Sequence, residues 1–166
     1  MTSGTVEDIG TKGFRRVLGH YPTGVTAVTA IGDDGQPAGM AIGSFTSVSL
    51  DPPLIAFLPD RNSTSFSRIR TARSFCVNVL AEDQENVCRT MASGRHDKFA
   101  SLNWSPSPSG APRLDGVVAW IDCDLESVAD AGDHYLVMGR VRELHAHAER
   151  APLLFFQGGY GRFSTG

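Results

Sequence analysis

Arg61-Asn62-Ser63-Thr64-Ser65 places five hydrogen-bonding side chains in a row, immediately before a helical pattern. Such a cluster caps the helix or cradles an anion such as phosphate, and on local sequence alone the cap is the simpler reading. Upstream, the stretch Met40-Ala41-Ile42-Gly43-Ser44 is rich in small residues whose backbone can approach a ligand closely. Lys98 and Phe99 set a cation beside an aromatic ring, although a surface lysine next to a core phenylalanine gives the same pattern. His134 follows Gly132-Asp133 where a turn gives way to a strand, and read alone it is a turn histidine. Asn78 is a polar residue inside an apolar run, so it needs a partner, either a ligand or a neighbouring strand. His145 and His147 share one strand face with Glu143, the arrangement of a metal cluster. No further ligand pattern accompanies them, and an exposed strand face explains them better.

Other chemistries lack their residues. There is no G-x-G-x-x-G and no Walker loop, so Rossmann-type dinucleotide binding is unsupported, and a phosphate would have to be held by hydroxyls and backbone N–H groups. Without a G-x-S-x-G elbow, nucleophilic hydrolysis is equally unsupported. Cys76, Cys88 and Cys123 are odd in number and widely spaced, which fits neither a disulfide framework nor a C-x-x-C zinc site. They read as buried small hydrophobes.

Antiparallel strands with a few short helices must position these residues. Phe14, Val17, Leu18 and Tyr21 recur at helical spacing and predict a helix over residues 11–20, ended by Pro22. A strand follows over 25–31, then a Gly32-Asp33-Asp34-Gly35 hairpin turn and a second strand from Pro37 to about Ser49. Further strands are expected over 54–58, 74–80, 117–126, 134–147 and 153–156, and helices over 64–72 and 82–93. Residues 101–112, rich in Pro, Ser and Gly, read as an irregular covering loop. Val117, Ala119, Ile121, Cys123 and Leu125 alternate with a face that ends in acids, as in a half-exposed strand. Tight turns between neighbours argue for an antiparallel sheet, and closing it into a barrel would protect its edges.

At 166 residues, with no second composition regime, one domain is expected over residues 1–166, residues 1–12 forming a flexible N-terminal tail. A formal net charge of −3 and the lack of a long basic run exclude nucleic acid and anionic membranes as partners. Neither a signal-peptide pattern nor a membrane-length apolar run occurs, so a soluble cytoplasmic protein is expected.

Taken in order, the short motifs resemble one family. They are Pro22-Thr23-Gly24-Val25, the stretch from Gly39 to Leu54, Ser63-Thr64-Ser65-Phe66, the strand Phe75–Leu80, Asp97-Lys98-Phe99, Gly132-Asp133-His134 and Gly158-Gly159-Tyr160. Spanning about Phe14 to Tyr160, the series resembles the flavin reductase-like family, the reductase components of two-component flavin monooxygenases. The resemblance implies a mainly β antiparallel split β-barrel with short helices, dimeric, with its flavin groove near the subunit interface. It implies NADH or NADPH and FAD or FMN as the small-molecule substrates, and hand-off of reduced flavin to a monooxygenase. No metal is implied. Within that pattern His134 is the residue for chemistry, contacting the nicotinamide. Met40, Ala41, Ile42, Gly43, Ser44, Asn62, Ser63, Thr64, Ser65, Asn78, Lys98, Phe99 and Tyr160 form the flavin-binding set. Ala41 and Gly43 stand where the commoner family pattern has hydroxyl residues, so backbone groups and Ser44 would carry the contacts there. The alternative reading is a split-barrel protein that binds and carries flavin without turnover. FAD against FMN, and NADH against NADPH, stay open at this level.

Overall fold

Thr26–Ile31 contains no charge, and five of its six residues are buried. A strand buried on both faces needs a packed layer on each side, and that requirement organises the molecule. The computed structural model describes Val6 and residues 8–166. In chain order the first half runs α1 (Thr11–Leu18), β1 (Thr23–Gly24), β2 (Thr26–Ile31), β3 (Pro37–Ile42), β4 (Thr46–Leu50), β5 (Pro53–Phe57), α2 (Thr64–Ile69) and β6 (Ser74–Val79). The second half runs α3 (Glu85–Ala92), β7 (Trp104–Pro106), β8 (Pro112–Leu114), β9 (Ala119–Ala131), β10 (His134–Ala146), β11 (Leu153–Phe156) and β12 (Gly159–Arg162). Half of the expected tail over 1–12, residues 1–5 and 7, lies outside the described residues; Thr11 and Lys12 begin α1.

Seven strands form one antiparallel sheet in the order β3-β2-β6-β9-β10-β5-β4. Although β3 and β4 are consecutive in the chain, they lie at opposite edges and do not pair. The sheet is therefore open between them, a split rather than closed barrel, and Gly43-Ser44-Phe45 bridges the opening. The single strand expected from Pro37 to Ser49 is two strands for this reason. Two smaller sheets complete the fold, β1-β11-β12 and β7-β8.

Neighbouring residues of β2 enter different cores, as strand alternation requires. Val28 packs with Phe57, Phe66, Phe75, Val77 and Val137. There the Phe57 ring stands edge-on to Phe75 at 5.4 Å and to Phe66 at 6.2 Å. Ala27, one residue earlier, faces Leu80, Cys88, Met91, Val117 and Trp120 in the second core. The expected irregular loop over 101–112 is in fact the β7–β8 hairpin. Asp122, fully buried on β9, holds it down, accepting from Ser107 Oγ at 2.7 Å, Ser109 Oγ at 2.7 Å and Ser109 N at 2.9 Å. That cover corrects the half-exposed reading of residues 117–126: Trp120 and Asp122, on the face expected to meet solvent, are both buried.

All three cysteines are free and buried. Burial, with a smaller contribution from the charge of Asp122, pushes the Cys76 thiol up from 9.0 to about 12. A folded-state pKa above the unfolded one means that stability is complete below pH 9 and is lost as the pH rises past it. Cys76 is expected to account for about 2 kcal/mol of lost stability by pH 10.5. Urea unfolding of the parent and of Cys76→Ala at pH 7.5 and 10.5 checks this, because the variant should lose less between the two pH values.

Candidate active site

The opening between β3 and β4 supplies the first part of the site. Gly43, Ser44, Phe45 and Thr46 line a groove of about 640 Å³ whose far wall is Tyr21 to Thr26 with Leu58 and Val79. That volume lies in the range of small-molecule sites. Ser44 Oγ accepts from Leu58 N and donates to Leu58 O, both at 3.1 Å, and so fixes the bridge against the end of β5. Met40 and Ile42 turn their side chains into the first core, so only their backbone is available to a ligand. Ala41 is half-buried against the second core.

The same segment leads to His134. Tyr135 N donates to Pro59 O at 2.9 Å, and Asp60 bridges His134. The histidine begins β10, directly after a turn in which Gly132 has φ +68, a conformation that glycine adopts without strain. Arg61 clamps that turn. Its backbone N–H donates to Asp133 O at 3.0 Å, its guanidinium to Gly132 O at 3.3 Å, and it pairs with Asp130 at 3.1 Å. His134 Nδ1 lies 2.7 Å from Asp133 Oδ1, and this bond holds the Asp133 carboxyl below its ordinary range. Nε2 is left as the ring nitrogen without a protein partner among the described residues.

A second recess lies at the other end of β3. Lys98 is buried, and its Nζ donates to Gly39 O at 3.0 Å, Ser65 Oγ at 2.9 Å and Met91 O at 2.8 Å. It thus ties β3 to α2 and α3. All three acceptors are neutral, and burial pulls the ammonium below the ordinary lysine range. Lys98, Thr64, Ser65 and Arg68 line a small cavity of about 70 Å³. The side chains of Arg68 and Arg95 are paired with Asp34 and Asp97, which leaves Lys98 as the lining lysine or arginine without a carboxylate partner. From Gly39 to Gly43 the edge strand spans roughly 13 Å, so it links the two recesses along one line.

The remaining candidate residues separate by role. Ser63 is the α2 cap, accepting from Phe66 N at 3.1 Å, while Asn62 is exposed on the turn before it. Phe99 packs edge-on to Trp104 at 6.3 Å and touches the second core, and a Cβ at Gly39 would come within 3.0 Å of its ring. Asn78 is fully buried and internally satisfied. It donates to Ala27 O and Thr29 Oγ1, each at 3.0 Å, and accepts from Leu114 N at 2.8 Å. Its partners are neighbouring strands, and the structure leaves no polar atom of Asn78 for a ligand. Tyr160 of β12 packs against α3, its hydroxyl 3.3 Å from Cys88 Sγ and its ring 5.0 Å beneath Arg89. The Cys88 contact, followed by burial, pushes its hydroxyl up to about 12. Sequence reasoning missed Arg61 as the clamp of the His134 turn and Tyr21 to Thr26 as a groove wall. The Pro22–Val25 motif was the available signal for the wall, whereas nothing local marks the clamp.

Comparison with known proteins matches this architecture throughout. A family model described as flavin reductase like domain matches residues 18–164. A flavin reductase of Pseudomonas putida is 60% identical over 152 residues, which cover 92% of this chain and 89% of the relative. The reductase subunit HsaB of a flavin-dependent monooxygenase from Rhodococcus jostii (strain RHA1) is 49% identical over 154 residues, or 93% of this chain and 78% of HsaB. Among solved structures, the NADH:FAD oxidoreductase SgcE6 of Streptomyces globisporus C-1027 superposes with a TM-score of 0.91 at 34% identity, covering 98% of this chain and 99% of SgcE6.

Proposed function

This chain belongs to the flavin reductase-like family, and from that premise we infer that it reduces free FAD or FMN with NADH and releases the reduced flavin to a monooxygenase partner. What carries the reading is the 60% identity to a flavin reductase across nearly the full length of both chains. The site fits a flavin nucleotide. The Lys98 charge, which no carboxylate among the described residues neutralises, suits a phosphate electrostatically, and the groove beside Gly43 and Ser44 suits a planar ring system.

When bound, the flavin supplies the hydride-accepting ring nitrogen. The protein supplies position and exclusion of water. Phe45, Leu58 and Val79 give the groove its apolar lining, and Ser44 with the adjoining backbone holds the ring edge. Thr64 and Ser65 hold the phosphate end, with the Lys98 charge behind them, and His134 Nε2 holds the nicotinamide carboxamide. Lys98→Met is expected to weaken FMN binding about tenfold while riboflavin, which lacks the phosphate, is unaffected. Fluorescence titration of both flavins checks this, and equal losses for the two would remove the phosphate role.

The functional unit is a homodimer in this reading. No residue of α1 is buried, so its Phe14, Val17 and Leu18 face outward, and Leu50 on β4 is 96% exposed. Apolar surface of this kind calls for a partner. The protein works in the cytoplasm, in keeping with three free thiols. No helix among the described residues is long and apolar enough to cross a membrane.

The deciding experiment follows NADH absorbance with purified protein and added FAD or FMN. Flavin-dependent consumption is expected. Flavin binding without consumption of NADH or NADPH would leave the carrier reading, which the missing hydroxyls at Ala41 and Gly43 favour.

A further inference from the structure

We propose that the cleft between β8 and the far end of the β9–β10 ladder is a binding site for a small planar aromatic carboxylate. His145 and His134 are eleven positions apart on β10, roughly 35 Å along the strand, and the cleft shares no lining residue with the reductase groove, whose Val79 pairs with Ala119 beside Trp120. Strand register builds one wall. His145 pairs directly opposite Trp120, and His147 lies two residues on, its N–H donating to Val118 O at 2.7 Å. The two imidazoles stand edge-on with centroids 4.7 Å apart, and His145 tilts toward the Trp120 indole at 6.3 Å.

Arg113 on β8 forms the opposite wall. Its guanidinium stacks on the indole 5.2 Å from the centroid, and Nη2 is steadied by Ser105 Oγ at 3.0 Å. It is half-buried, yet no carboxylate pairs with it among the described residues. Asp115 at the rim is the one acid in the lining, and its carbonyl is fixed by Gln84 Nε2 at 2.8 Å. The cleft opens to solvent and holds about 430 Å³.

Each feature restricts the ligand. A half-buried guanidinium with no carboxylate within ion-pair distance among the described residues suits an anion, and its planar fork matches a carboxylate. The exposed imidazole faces of His145 and His147 favour a ring that stacks on them or meets them edge-on. The volume suits one substituted ring.

Calorimetric titration of benzoate into the full chain, with excess FMN filling the reductase groove, tests the site. One benzoate per chain is expected, with cyclohexanecarboxylate clearly weaker and Arg113→Gln lowering benzoate affinity about tenfold or more. Turnover of NADH and FMN should be unchanged in that variant, which verifies its fold. Should Arg113→Gln lose turnover, His145→Asn carries the test, because that position is exposed. The absence of benzoate heat, equal affinity for the two acids, or binding indifferent to the substitutions would each overturn the proposal.

Discussion

Replacing His134 by alanine lowers kcat/KM for NADH about 100-fold while flavin affinity changes by less than about twofold. The size follows from what the side chain does in the proposed reaction. Hydride transfer depends on geometry more than on any group of the protein, and a small displacement of the donor ring is costly. His134 is suited to fix that ring because the imidazole is itself fixed, with Nδ1 bonded to Asp133 and its strand start bridged to Asp60. Arg61 holds the turn from behind through Gly132 and Asp133. The proposed flavin contacts lie on β3, the Gly43-Ser44 bridge, the start of α2 and Lys98, so removing the imidazole leaves them in place. Steady-state kinetics with varied NADH, together with flavin titration, separates the two effects. A variant with an unchanged NADH profile would remove His134 from the site.

Asp122→Ala is expected to destabilise the protein by about 3 kcal/mol. Three donors converge on the buried carboxylate, and the alanine variant leaves the Ser109 amide and two serine hydroxyls without their acceptor. The hydroxyls retain a contact of 3.2 Å with each other, which limits the loss. The β7–β8 hairpin should loosen first, exposing Trp104, which packs on Phe99 beside Lys98. Flavin affinity should therefore fall along with the urea midpoint, although Asp122 is not among the residues proposed to hold flavin. Asp122→Asn keeps the shape and is expected to lose about half as much. Equal urea midpoints for the parent and the alanine variant would show that the hairpin is held by other contacts.

Most strands were legible in the sequence because β-branched runs and Asp-Gly turns are local signals. The TAVTAI run, the 32–35 turn and the long 119–146 pair needed no tertiary information. The β7–β8 hairpin was illegible, since strands of three residues each carry too little pattern to stand out from a Pro- and Ser-rich loop. The break between β3 and β4 was also hidden. Nothing in Gly43-Ser44-Phe45 separates a bend within one strand from a crossing between sheet edges.

Local chemistry determined by itself that a donor cluster precedes a helix, that a histidine follows a turn, and that a lysine adjoins an aromatic ring. Their order along the chain carried the family resemblance. Only the tertiary structure decided which of these groups are free to meet a ligand. Asn78 reads as a polar residue needing a partner, and Lys98 as a cation beside an aromatic ring. Asn78 has its hydrogen-bonding groups taken up by adjacent strands, whereas Lys98 spends its protons on neutral oxygens and keeps an unpaired charge. That difference is set by residues dozens of positions away, because hydrogen-bond saturation and charge compensation are properties of the packed surroundings.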